Sequence, residues 1–259
     1  MRLKTVQWPF LLSGFILLAC NSSKQEATVD PLSYEIEEFE KSICLDGEAS
    51  CAEVKMNYPI FSGGEDTLRV LLNIHVLEQL KMYLDWGEKD SDLPSLDDMA
   101  NDILEEYNSF KKDFPESSQS WFTETEAMVE LMGSDLVSIK FFNSSYTGGA
   151  HPNYVSQYMN FDVEALSLLK NEDIVLDEEK LMELAEQAFR KYHEVKEGIS
   201  LEEDGRFFLE KGAFFLPAAM GYEGEEFVLL YNTYEIAPYS MGQTELRLPL
   251  ANLNGVVKQ

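Results

Sequence analysis

The chain has 259 residues, 45% hydrophobic and 12% aromatic, which is enough apolar material for a sizeable core and too much for a disordered polypeptide. Its 47 acidic residues against 20 basic ones give a formal charge of −27, and a surface with that excess repels phosphate backbones, so nucleic acid is set aside as a partner. No nucleophile elbow, phosphate loop or metal-ligand spacing stands in the sequence, so no catalytic residue, metal site or cofactor is assigned.

Arg2 and Lys4 precede an apolar run from Trp8 to Ala19, broken by Ser13 and Gly14. This is the order of an export signal, and the run is too short to span a bilayer well. Leu17-Leu18-Ala19-Cys20 resembles a bacterial lipobox, in which the cysteine thiol accepts a diacylglycerol; a chance cysteine behind an ordinary export signal is the alternative. Cleavage before Cys20 removes Arg2 and Lys4 and takes the formal charge from −27 to −29. Acyl chains on Cys20 contribute about 0.8 kcal/mol per buried CH2, so the resemblance implies a protein tethered to the lipid membrane without crossing it. Asn21 after the cysteine implies the outer membrane of a Gram-negative envelope. Residues 21–33 are expected to form a flexible polar stalk.

With Cys20 given to lipid, Cys44 and Cys51 remain, separated by a turn-forming segment. In an oxidising compartment two such cysteines pair. A metal site is the alternative, but His75, His151 and His193 form no two-ligand spacing.

Tyr34 to Ile43 and Ala52 to Tyr58 read as two strands of a hairpin. Between Asp66 and Leu84 the residues Leu68, Leu71, Leu72, Val76, Leu80 and Tyr83 recur at helical spacing, with His75 on the same stripe as a core side chain. Ser95 can cap a second helix, with Leu96, Met99, Ile103, Tyr107, Phe110 and Phe114 inward and a run of acids facing water. Trp121 to Leu131 alternates cleanly, placing Glu124, Glu126 and Glu130 on the wet side. Leu136 to Tyr146 and Tyr154 to Phe161 complete an antiparallel meander. Asp177 to Val195 predicts a helix with Leu181, Leu184, Ala185, Ala188 and Tyr192 inward. Strands are expected near Phe207 to Leu209, Gly212 to Leu216, Glu225 to Asn232 and Thr244 to Leu250. The fold class is α+β, antiparallel sheets with helices on one face, in two small lobes.

Two segments carry a resemblance. They are Tyr146-Thr147-Gly148-Gly149-Ala150-His151-Pro152-Asn153 and Tyr231-Asn232-Thr233-Tyr234-Glu235-Ile236-Ala237-Pro238-Tyr239-Ser240-Met241-Gly242. In this order they resemble the paired extracytoplasmic domains of unknown function found in the anti-sigma-V factor RsiV and ahead of the catalytic domain of the peptidoglycan deacetylase PdaC. The resemblance spans roughly Tyr34 to Val256 and implies a PdaC-like domain over residues 34–150 and an RsiV-like domain over residues 151–259. RsiV-like ectodomains bind lysozyme, so it implies a binding function, and a strongly acidic chain attracts a cationic protein at long range. Neither sigma-factor control nor deacetylation transfers, because the sequence has neither a sigma-binding segment nor a catalytic domain with its metal ligands.

His151, Asn153, Tyr234, Glu235 and Tyr239 are the candidate ligand-binding residues. The glycines permit positive φ and Asn153 can close the turn. Aromatic rings beside a carboxylate can stack on a sugar or anchor a cationic protein. The leading expectation is a lipid-anchored envelope binding module for a lysozyme-like cationic protein or a peptidoglycan fragment. The alternatives are a glycan-modifying hydrolase using His151 with an acid such as Asp162, or a purely structural envelope component.

Overall fold

The computed structural model describes residues 30–45, 50–85 and 95–259. Cys20, the lipobox-like segment and most of the expected stalk lie outside the described residues. The first sheet begins with β1 (Ser33–Leu45) and β2 (Ser50–Ser62), an antiparallel hairpin in which Cys44 and Cys51 face each other and form a disulfide, 4.1 Å apart at Cα. Next come α1 (Asp66–Leu84) and α2 (Leu96–Asp113). Ser95 accepts from the Asp98 amide while the Asp98 carboxylate accepts from the Ser95 amide, a capping box that starts α2. Phe114 ends that helix and is exposed rather than inward.

β3 (Trp121–Met132), β4 (Leu136–Tyr146), β5 (Asn153–Asp162) and β6 (Ser167–Leu169) extend the sheet in sequence order. The meander is antiparallel, but β2 and β3 pair in parallel because α1 and α2 cross over between them. β4 and β5 flank the Ala150/His151 junction and pair over ten positions, so both halves of the chain share this sheet.

Two short helices, α3 (Asn171–Ile174) and α5 (Leu201–Asp204), bracket α4 (Glu178–Tyr192). α4 buries Leu181, Ala185 and Phe189, whereas Tyr192 is exposed, contrary to the expected inward face. The second sheet contains β7 (Ala219–Glu223), β8 (Glu226–Tyr231) and β9 (Thr244–Pro249). The expected strands at 207–209 and 212–216 are not formed. Phe207, Phe214, Phe215 and Leu216 instead pack as irregular chain against the α4 core.

The layers follow from which side chains share a core. Val54, Met56, Ile139, Phe141 and Phe161 pack with α1 and α2 on one face of the first sheet. On its other face Tyr158 packs with Ala219, Val228 and Leu230 of the second sheet. The far side of that sheet, with Tyr222, Phe227 and Tyr231, packs on α4.

Between the sheets a set of polar contacts accompanies the apolar ones. The Tyr222 amide donates to Ser138 Oγ, which donates to Asn160 Oδ1, while Asn160 Nδ2 donates to the Met220 carbonyl. Lys140 Nζ reaches Glu223 at 2.7 Å and Glu245 at 3.2 Å, and the Tyr158 hydroxyl donates to Glu223 at 2.5 Å. Burial pushes the Glu223 carboxyl up, but the hydrogen bonds from Lys140, Tyr158 and Arg247 outweigh it and leave the pKa lowered. Burial and the Glu223 bond push the Tyr158 phenol up.

The register of β3 shifts between Val129 and Leu131. Glu130 is the extra residue of that bulge, and Leu131 therefore turns to the α4 core rather than continuing the inner face of the strand. Glu130 is half-buried, not wet, and burial together with Glu223 raises its pKa.

Two predictions follow from this packing. A Cβ at Gly221 would lie 2.2 Å from Tyr158 Cδ1, so Gly221→Ala should destabilise by about 3 kcal/mol through overpacking, read from urea denaturation. Gly133→Ala, with nothing closer than 3.4 Å, is the near-neutral control. His193 Nε2 sits 2.9 Å from Thr244 Oγ1, and burial, then Arg206, hold its pKa below the ordinary 6.5. The fold favours the neutral ring, so this contribution to stability is fully present above 6.5 and is lost as pH falls from there through the lower folded pKa. His193→Gln should shrink the loss of urea midpoint between about pH 7.5 and about pH 5.5.

Candidate functional site

The β4–β5 turn and the β8–β9 loop meet at one end of the sheet pair. In the turn, Gly148 and Gly149 have φ of 116° and 110°, and a Cβ at Gly148 would lie 2.7 Å from Gln119 Nε2. This reversal requires glycine. The Tyr146 hydroxyl donates to the Gly149 carbonyl across it.

The β8–β9 loop is held by two side chains. Asn232 accepts from the Ser156 amide at 2.7 Å and donates to the Ser156 carbonyl at 3.0 Å, imitating a strand neighbour of β5. Gln243 also donates to Asn232 Oδ1. Glu235 accepts from the Asn232 amide at 2.7 Å and from the Ala218 amide at 2.8 Å. Both carboxylate oxygens serve backbone amides, so Glu235 organises the loop rather than presenting a charge to a ligand.

Tyr234 follows in a left-handed conformation, φ 68°, and is 57% exposed. The His151 ring stacks on Tyr239 with centroids 3.7 Å apart and an interplanar angle of 19°. His151 Nδ1 lies 2.9 Å from the Pro152 carbonyl, and Nε2 lies 3.3 Å from the Tyr234 hydroxyl. A carbonyl only accepts, so Nδ1 carries the proton and, in the neutral ring, Nε2 accepts from Tyr234. The Tyr239 hydroxyl donates to the same carbonyl at 3.0 Å. Its pKa is raised by burial and by Tyr154 and Tyr234. Three of the five candidates, His151, Tyr234 and Tyr239, thus form one aromatic cluster, and Glu235 braces the loop that carries Tyr234. Asn153 opens β5 opposite Ser145 and is exposed.

Beside the cluster lies an open groove of about 500 Å³ walled by Phe142, Tyr154, Tyr239 and Met241, with Thr233, Ser240 and Gln243 supplying polar groups. Phe142 and Tyr154 stack with centroids 6.2 Å apart. A second hollow of about 350 Å³ shares Phe142 and Gln243 and is bounded by Glu126, Met128, Lys140 and Glu245. Beyond it the first sheet is uncovered and carries two cross-strand rows, Glu38–Asn57–Glu126 and Glu40–Lys55–Glu124. The arrangement can stack planar or sugar-ring faces at one end and attract cations at the other.

The proposed acid–base pair of His151 and Asp162 is not formed. Asp162 ends β5, about 30 Å of strand away from its start. There it accepts from the Ala165 amide at 2.7 Å and pairs with Lys258 at 2.9 Å, contacts that hold its carboxyl below the ordinary range. Asn232, Phe142, Tyr154 and Gln243 were not legible as site residues. Phe142 lies in the two-sided apolar run of β4, where periodicity does not separate a groove wall from a core residue.

A family model described as "Deacetylase PdaC" matches residues 45–154, and a model described as "Protein of unknown function (DUF3298)" matches residues 168–251. A solved DUF3298 family structure from Bacteroides fragilis is similar over 88% of this chain and 94% of its own, at 21% identity and a TM-score of 0.69. A DUF3298 family protein from Pseudomonas aeruginosa is similar over 88% of this chain and 95% of its own, at 23% identity and a TM-score of 0.61. These likenesses establish the fold. No curated protein shows significant similarity to the chain.

The division between framework and surface within the site is testable by stability alone. Glu235→Ala strips two backbone amides of their acceptor and should cost about 1–3 kcal/mol in urea denaturation. Tyr234→Ala, which leaves both amides satisfied, should cost well under half as much.

Proposed function

We propose that this chain, which carries a PdaC-type domain followed by a DUF3298 domain, is a cell-envelope binding module tethered to the outer membrane through acylated Cys20, and that it takes a cell-wall glycan in the aromatic groove. One observation carries the reading. The two motifs, about eighty residues apart in sequence, meet in the His151–Tyr239 stack at the edge of a groove walled by further aromatic rings. Aromatic faces cover the apolar faces of sugar rings, and Gln243, Ser240 and Thr233 offer the neutral donors and acceptors that hydroxyl and acetamido groups need.

A second reading is a lysozyme-like cationic protein docked on the uncovered face of the first sheet. It is favoured by the exposed glutamates of the two rows there, among whose residues the one cation is Lys55. Such a partner is steered by long-range attraction that salt weakens.

Titration of the purified Cys20→Ala chain with soluble disaccharide-peptide fragments of peptidoglycan, and separately with lysozyme, distinguishes these readings. Glycan binding should weaken by about tenfold in Tyr154→Ala and in Tyr239→Ala and should be indifferent to salt. Lysozyme binding, if that reading holds, should be unmoved by those variants and should weaken with salt and in Glu124→Gln/Glu126→Gln. Heat or mobility changes with neither ligand would remove both.

A further inference from the structure

α1 is apolar on two sides. Leu68, Leu72, Val76 and Leu80 form its buried stripe, while Val70, Ile74 and Leu77, at the spacing of one helix face, are 51%, 48% and 39% exposed. The helix is also electrically neutral, with Asp66 and Glu78 offset by Arg69 and Lys81. In a chain of formal charge −27 that is unusual: its neighbour α2 carries six acids against two lysines.

The chain enters the fold at the same helix. The Asp30 carbonyl accepts from the Gly64 amide at 2.7 Å, just before α1 begins. The ten residues from Asn21 to Asp30 reach at most about 35 Å, and α1 is about 28 Å long, so a lipid on Cys20 keeps the whole outer stripe within reach of the bilayer surface.

We infer that the Val70–Ile74–Leu77 stripe of α1 rests on the lipid surface to which Cys20 is attached. This rests on the acylation proposed above. Three half-exposed aliphatic side chains bind a bilayer weakly by themselves, but a tether raises their effective concentration, so they need only select an orientation. The exposed acids of α2 keep that helix off the lipid and confine contact to α1. The helical layer and the groove lie on opposite faces of the first sheet, so this orientation turns the aromatic groove away from the membrane.

The test places nitroxide labels on the acylated full chain through Ile74→Cys, Val70→Cys or Glu38→Cys, on phosphatidylcholine vesicles, and measures accessibility to oxygen and to a water-soluble nickel chelate. Labels at 70 and 74 should gain oxygen accessibility and lose nickel accessibility severalfold relative to the same labels in the Cys20→Ala chain in solution, while the label at 38 stays aqueous. Vesicle-bound protein with all three labels aqueous overturns the inference and leaves the anchoring intact. Protein that does not float with vesicles removes the anchoring, and the inference with it. Dipolar broadening at 74 in the unacylated chain in solution assigns the stripe to a second copy and likewise overturns it.

Discussion

The two sheets are fixed against each other by a set of directional polar bonds, and the rest of the molecule is arranged around that constraint. Sheets that pack face to face usually interdigitate apolar residues. Here the apolar contribution is a small cluster around Tyr158 and the Leu131, Leu136 and Leu169 side chains that reach the α4 core, and alongside them Ser138, Asn160 and Lys140 bond to partners on β7 and β9. A largely desolvated lysine is tolerated because two carboxylates converge on it, and removal of one would leave uncompensated charge. Directional bonds are satisfied in one relative placement, whereas an apolar interface can slide. Gly221 lets β7 come close enough for Tyr158 to lie against its backbone.

That placement creates the candidate site. His151 belongs to a turn of the first sheet and Tyr239 to a loop of the second, so their stack exists only when the sheets dock in this register. Asn232 carries the register to the rim by occupying the backbone groups of Ser156. Tyr234 is held left-handed, a conformation that costs a non-glycine residue about 1–2 kcal/mol, between Asn232 on one side and Glu235 on the other. A surface organised in advance loses less entropy when a ligand arrives.

The helices and the meander were legible because their signals are local: the apolar periodicity of α1, the Ser95 capping box, and the alternation of β3 as far as Val129. The misses have non-local causes. The Glu130 bulge is a one-residue insertion whose effect on Leu131 depends on pairing with β4. β7 escaped notice because its Gly221 weakens strand propensity, and the glycine is there for Tyr158. The phenylalanines of 207–215 read as strands because apolar, aromatic runs do, yet they fill the α4 core without pairing. The aromatic neighbours of Glu235 suggest a ligand contact, whereas its three-residue spacing from Asn232 is the one at which a carboxylate reaches back to a backbone amide.

The distribution of charge divides the continuous surface into two parts with different physics. The walls of the aromatic groove contain no ionised side chain, and at its boundary Lys140 is already engaged by Glu223 and Glu245. Its interactions there are short-ranged contact terms. The uncovered sheet beyond carries exposed glutamates whose field extends over a Debye length of about 8 Å at physiological ionic strength. The acidic part can govern the rate at which a cationic partner arrives, and the aromatic part the residence time of whatever fits it. A ligand spanning both must be neutral at one end and cationic at the other, a stricter requirement than either half imposes.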